Sequence, residues 1–198
     1  FKPVRVRPYD TITSMEKEYV VLVDEKNNIL GTSPKLATHN NNTPLHRAFS
    51  VFLFNKAGQL LLQQRSHKKK TWPLVWSNSV CGHPTLEETP EQAAHRRLDY
   101  ELGLRDVQLF ILLPTYRYRC EKDGIVENEI CPVLVGFANQ EPKPNPDEVE
   151  TTQWITWKDW LKETQKHPEN YSQWCVEETQ LLENNPNFHK LLKQNMGQ

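Results

Sequence analysis

No apolar run in this chain approaches the roughly 18 residues that a membrane-spanning helix requires. No long basic run occurs either, and a formal charge of -1 over 198 residues is close to neutral, so neither nucleic acid nor a membrane is expected as a partner. Cysteine is sparse. The residues at 81, 120, 131 and 175 have no close metal-ligand spacing, which fits a reducing, cytoplasmic compartment. Internal repeats are absent, and no signal-peptide pattern is visible. What is present is 37% hydrophobic residues, enough for one well-buried core in a chain too short to make a second full domain the expectation. The lysines at 68–70 break the even charge, either as a solvated loop or as cations able to close over a small anion.

Strands are predicted at 19–24 and 29–32 about a Lys26-Asn27-Asn28 turn, with Ser33-Pro34 opening a short helical turn. Residues 47–54 and 59–64 read as a hairpin about Asn55-Lys56-Ala57-Gly58. Residues 107–113 read as a buried apolar strand, and 116–120 as a strand paired through Lys122-Asp123-Gly124 with 125–137. The stretch EPKPNPDE at 141–148 is too rich in proline for helix or strand and reads as an exposed connection inside one domain. Thr156 is expected to cap one tryptophan-bearing helix, and Ser172 another that carries Trp174, Leu181 and Leu182.

The clearest helix lies before these. Thr89 with Gln92 three residues on forms a capping box, Pro90 takes the first helical position and Gly103 is a stop. Arg97 and Glu101 lie four apart and share one face of it. An exposed ion pair, worth a few tenths of a kcal/mol, is the ordinary explanation.

Two further constellations carry chemistry. Alternate residues of a strand share a face, so Glu127 and Glu129 point the same way about 7 Å apart. Pairing with Arg117 and Arg119 on the neighbouring strand would explain them, and so would a divalent ion gathered with His39, His46 and His83, each near a turn or a strand start. Cys81 and His83 lie on one side of an extended segment, which is a thiol-base pair only if the imidazole is free of metal. A buried inert cysteine is the ordinary alternative.

Residues 82–103 resemble the Nudix signature. Gly82, Glu88, Arg96, Glu101 and Gly103 keep its places, while Arg97 and Tyr100 stand where a Nudix hydrolase carries two of its cation-gathering glutamates. With KLATHNNNTPLHRAF, RSHKKKTWPLVWSNSVCGHP, RRLDYELG, YRYR and GIVENEICPV, the chain from 18 to 183 resembles the type I isopentenyl diphosphate isomerases. Gly82 between the thiol and the imidazole makes it similar to their bacterial branch.

That resemblance implies an α/β (α+β) fold, a Nudix-like mixed β-sheet sandwiched by helices, with a leader at 1–17, one isomerase domain at 18–185 and a tail at 186–198. It implies isomerisation of isopentenyl to dimethylallyl diphosphate in isoprenoid biosynthesis, by a monomer or weak homodimer, with Nudix-type diphosphate hydrolysis as the alternative. Glu129 assisted by Tyr118 would deliver a proton, Cys81 as thiolate would remove one, and the face of Trp174 would support the carbocation between. Lys35, Arg65, Lys69 and Arg97 match the family's phosphate contacts, and Glu101 its Mg position at the diphosphate. The other metal ligands would be His39, His46, His83, Glu127 and Glu129, a set that suits Mn, Zn or Mg.

Overall fold

The structure, a computed structural model, describes residues 18–196, so the predicted leader lies outside the described residues. In chain order the elements are β1 (Tyr19–Val23), β2 (Ile29–Pro34), α1 (Lys35–Thr38), β3 (His46–Arg47), β4 (Phe49–Phe54), β5 (Gln59–Arg65), β6 (Trp76–Ser77), β7 (Val80–Gly82), α2 (Pro90–Leu102), β8 (Gln108–Leu113), β9 (Arg117–Lys122), β10 (Ile125–Ile130), β11 (Val133–Phe137), β12 (Val149–Thr156), α3 (Trp157–Lys166), α4 (Gln173–Glu183) and α5 (Pro186–Asn195). One mixed sheet runs β2-β1-β3-β10-β9 and a second β12-β5-β4-β11-β8, with β6 on β5 and β7 on β4.

Every residue of β4 is buried. Phe49, Val51 and Leu53 face Ala93, Ala94, Leu98 and Leu102 of α2, whereas Phe52 and Phe54 face Trp160, Trp174, Leu182 and Phe188 of α3, α4 and α5. Helices on both faces remove any need for polar alternation, and each fully buried Leu or Phe contributes about 1.5 to 3 kcal/mol.

The two long strands expected at 47–54 and 125–137 are each extended but change sheets midway. His46 and Arg47 pair in parallel with Glu129 and Ile130 in the first sheet, and Ser50 to Phe54 pair in parallel with Val133 to Phe137 in the second. Between them Ala48 N donates to Ile130 O at 2.9 Å and Ser50 N to Pro132 O at 3.1 Å. Pro132 has no N–H to continue either ladder, so the break falls there. The expected β4-β5 hairpin is correspondingly reduced to one register pair, Phe54 with Leu60, because β11 and β7 occupy the edges of β4.

The capping box of α2 is reciprocal, with Gln92 N donating to Thr89 Oγ1 at 3.3 Å and Thr89 N to Gln92 Oε1 at 2.8 Å. Gly103 ends it at φ 63°, a conformation that favours glycine. Thr156 caps α3 as expected. Ser172 stands at the start of α4 without capping it, since its hydroxyl is taken by Ser77 at 2.8 Å. Strand β12 was not expected. Its outward Glu and Thr residues and its place at a sheet edge hide the pattern, but it pairs with β5 from Val149 to Thr156. The stretch read as a tail contains α5, where Asn185 caps Asn187 N at 2.9 Å and Phe188 and Leu192 enter the core. No helix among the described residues is long and apolar enough to cross a membrane.

Candidate active site

Strand register sets the centre of the site. Glu129 in β10 lies opposite Tyr118 of β9 on one side and His46 of β3 on the other. The Tyr118 hydroxyl donates to Glu129 Oε2 at 2.8 Å, while Oε1 meets Nε2 of His46 at 3.3 Å and of His83 at 3.0 Å. Glu127, one strand period away, lies opposite Cys120, and both carboxylates are buried. Arg117 and Arg119 occupy the exposed face of β9, where Arg117 pairs with Glu25, so they do not compensate the two glutamates.

The three imidazoles arrive from the end of α1, from β3 and from just beyond β7, with ring centroids 5.0, 5.1 and 5.5 Å apart. Nδ1 of His39 lies 2.7 Å from Lys35 O and Nδ1 of His46 lies 2.9 Å from Pro44 O. A carbonyl only accepts, so each Nδ1 carries the proton and each Nε2 turns a lone pair inward. There His39 Nε2 stands 3.0 Å from Glu127 Oε2, yet Glu127 Oε2 and His46 Nε2 make no hydrogen bond. Buried lone pairs set against one another repel, and a divalent cation among them converts that repulsion into ligation. His39, His46, His83 and Glu129 offer ligand atoms within 4.8 Å of one another, a group that fits such an ion, with Glu127 beside His39 outside it.

His83 and Glu129 agree with this in protonation state, and His39 runs against it. Burial lowers His83 to about 3 even against the pull of Glu129, which keeps the imidazole neutral. Burial opposes ionisation of Glu129, but His46 and His83 outweigh it and hold the carboxyl well below the usual range. His39 is disfavoured as a cation by burial and still held above its ordinary value by Glu127.

Cys81 lies in β7 opposite Ser50 of β4. Its Sγ donates to Asn78 Oδ1 at 3.0 Å and stands 3.6 Å from Ser50 Oγ. Burial pushes the thiol up to about 12, with the Glu178 charge adding and Ser50, Asn78 and Arg65 opposing. The thiolate expected of Cys81 is therefore a form it must reach by losing a proton. Cys81 packs on the same cluster that holds Tyr118, Trp72 and Trp174. Trp174 lies 5.7 Å from Tyr118 and 5.5 Å from Trp72 between ring centroids, so one aromatic wall runs from Trp72 to Tyr118, whose hydroxyl meets Glu129. Trp160 and Trp157 sit away from it, donating to Thr179 at 2.8 Å and to Glu183 at 2.7 Å.

At the other end, the Arg97–Glu101 pair is buried, which removes its ordinary explanation as an exposed ion pair, with Nη2 to Oε1 at 2.7 Å. A Cβ on Gly82 would stand 3.1 Å from Arg97 Cγ and 3.0 Å from Phe49, so glycine beside the thiol lets α2 approach β7 closely. Arg96 fixes the loop between them through Glu88 at 2.6 Å and His83 O at 3.1 Å. Lys35, Lys69 and Arg97 converge through three carboxylates, Glu18, Glu101 and Glu148. Arg65 makes no ion pair in that group but lies close enough for its charge to act on Lys69: it donates to Thr71 O and Trp72 O, and its guanidinium lies 6.0 Å over Trp174. The 68–70 lysines do not act together, since Lys68 is exposed on Asp147 and only Lys69 turns inward.

Trp72, Glu148 and Glu178 were not among the expected site residues. Trp72 adopts φ 47°, unusual for a bulky side chain, within the TWPL segment that carries it. Glu178 is fully buried in α4 with Oε2 unpartnered, and burial together with Glu129 raises it well above the usual carboxyl range. Its helical spacing of four from Trp174 was the available signal.

The NUDIX domain family matches residues 44–175. The chain is 47% identical over 163 residues to an isopentenyl-diphosphate Delta-isomerase of Salmonella paratyphi B, covering 82% of this chain and 90% of that relative. It is 46% identical over 159 residues to one of Saccharopolyspora erythraea, covering 80% and 82%. Among solved structures, DR0079 of Deinococcus radiodurans superposes with a TM-score of 0.60 at 22% identity, covering 76% of this chain and 90% of that one. A MutT protein of Methanosarcina mazei reaches 0.50 at 18% identity, covering 60% and 82%, and both share the fold.

Proposed function

The chain belongs to the isopentenyl-diphosphate Delta-isomerases, on a NUDIX domain, and from that premise we propose which of its residues move the double bond. The reaction interconverts isopentenyl and dimethylallyl diphosphate. A proton is added to one alkene carbon, and another is removed from the carbon beyond the cationic centre. Such a reaction needs two proton-transfer groups at a dry, polarisable wall.

Glu129 with Tyr118 forms one group and Cys81 the other, and their roles exchange with the direction of reaction. What supports this most is that Trp174 packs against Tyr118 in the cluster on which Cys81 rests, so both groups belong to one apolar cluster. Trp174 presents an indole face, worth roughly 1 to 2 kcal/mol to a neighbouring cation where water is excluded. Cys81 holds a proton and Glu129 a charge, so the pair already contains one proton to give and one place to receive it.

His39, His46, His83 and Glu129 would hold one divalent ion, with Glu127 as a fifth ligand, and Mn, Zn and Mg all suit these donors. Glu101 would hold Mg with the diphosphate, and Lys35, Arg65, Lys69 and Arg97 would bind the phosphates. Bound there, the ions supply positive charge that orients carboxylates and neutralises phosphate oxygens. Free thiols at Cys81, Cys120, Cys131 and Cys175 fit a reducing cytoplasm, and we take the working unit to be a monomer or weak homodimer.

Hydrolysis of the diphosphate is disfavoured by the same helix. The positions where a hydrolase carries glutamates hold a buried cation, Arg97, and an exposed phenol, Tyr100. Incubation with isopentenyl diphosphate and Mg in deuterated water should place deuterium in recovered dimethylallyl diphosphate. Unlabelled starting material with free phosphate would overturn the isomerase reading.

A further inference from the structure

Glu148 closes the proline-rich connection, and that connection is tied down. Ser66 N donates to Glu148 O at 3.0 Å, Asn145 N to Glu101 O at 2.8 Å and Lys143 N to Leu102 O at 2.7 Å. Its Oε2 lies 3.0 Å from Arg97 Nη2, the nitrogen that also lies 2.7 Å from Glu101 Oε1, and the same oxygen receives the ammonium of Lys69. Glu18 completes the group, 3.0 Å from Arg97 Nη1 and 2.5 Å from Lys35 Nζ. The side chains of Arg97, Glu101, Glu148 and Lys69 are 6%, 3%, 14% and 18% exposed, so these charges meet with little water between them.

Three carboxylates, Glu18, Glu101 and Glu148, thus engage three cations, Lys35, Lys69 and Arg97, within the protein, with Arg65 close enough to act on Lys69. A multiply charged diphosphate entering this cluster meets Glu101 and Glu148 as like charges, and Lys69 and Arg97 as cations already engaged. A divalent cation that takes up carboxylate charge removes the first conflict and loosens the second. Glu148 is the carboxylate of the three that pairs with both Lys69 and Arg97, and so links the two.

We propose that Glu148 is a positioning residue that makes diphosphate binding conditional on a divalent cation, by holding Lys69 and Arg97 until carboxylate charge is drawn off. The inference rests on the reading of the diphosphate end given above. It amounts to positive coupling between metal and diphosphate, located in one side chain that takes no part in proton transfer.

Calorimetric titration of the full chain with inorganic pyrophosphate, in chelator and in excess Mg, tests it without turnover, so its outcome is independent of the deuterium assay. Glu148→Gln is expected to bind pyrophosphate about tenfold more tightly than wild type in chelator, and to lose about the same factor from the Mg enhancement. Glu148→Asp, which draws the carboxylate back by one methylene, is expected to shift both quantities about threefold in the same direction, and serves if the Gln variant does not fold. A merely structural role would weaken binding alike with and without Mg. That result, or an undiminished Mg enhancement, overturns the proposal.

Discussion

The carboxylate of Glu129 is divided between two kinds of neighbour: Oε2 takes the Tyr118 hydroxyl at 2.8 Å and Oε1 faces His83 Nε2 at 3.0 Å. Removing the phenol hydroxyl frees one oxygen and leaves the histidine side intact. Tyr118→Phe is expected to lower kcat by about 10- to 100-fold with KM and bound metal per chain unchanged, measured by initial rates and atomic emission. Loss of metal would show that Tyr118 acts on the ligand set instead.

Cys81 sits within β7 without filling a large volume of core, so its removal should spare the fold. Cys81→Ala is expected to lower kcat at least about 100-fold while the thermal transition and metal content stay near wild type. Because burial pushes the thiol up to about 12, its alkylation by iodoacetamide at pH 8 should be far slower than that of a free cysteine and rise with pH. Rapid alkylation that is already pH-independent near neutrality would show a resting thiolate.

Trp174 and Trp160 are both buried, but only Trp160 has a partner for its indole N–H, Thr179 at 2.8 Å, while Trp174 Nε1 has none. Trp160→Phe is expected to cost about 1 to 3 kcal/mol in urea unfolding with the rate per folded molecule kept. Trp174→Phe should do the reverse, leaving stability nearly unchanged and lowering kcat about 5- to 30-fold. Equal stability losses at the two positions would reduce Trp174 to packing.

The metal-stripped protein should weaken in acid. With His83 lowered from 6.5 to about 3, the unfolded chain binds more protons between those values, so stability falls as the pH drops through that window. At ~1.4 kcal/mol per unit this amounts to a few kcal/mol. Glu129, depressed by His46 and His83, adds a loss further down, as the pH falls through its lowered value. His39 works oppositely, since its raised value gives stability on the acid side that is lost as pH rises through it. Urea midpoints measured in chelator from pH 7 to 4 check the sum, and a flat profile would contradict it.

Helix α2 is legible in sequence because its signals are local: Thr89 with Gln92, Pro90 and Gly103 lie within one segment. The inward turn of Glu127 and Glu129 is legible from the two-residue period of a strand. Their neighbours are not, since nothing in the spacing of 39, 46 and 83 says that β3 lies beside β10. Strand β12 and helix α5 escape notice for a shared reason. Each exposes most of its polar residues and buries only a few side chains, such as Val149 in one and Phe188 and Leu192 in the other. Glu148 is hidden by its own context, because a proline-rich stretch reads as solvent-facing until α2 is seen to hold it.

The paired change of sheet at Ala48 and Pro132 has a mechanical corollary. His46 and Glu129 precede that seam, and Ser50, which faces Cys81, follows it. Cys81 and Glu129, the two groups proposed to handle protons, therefore belong to different sheets, and their separation spans the joint between them. Ala48 is 2% exposed at that joint, so a bulkier residue there would have to push the two sheets apart.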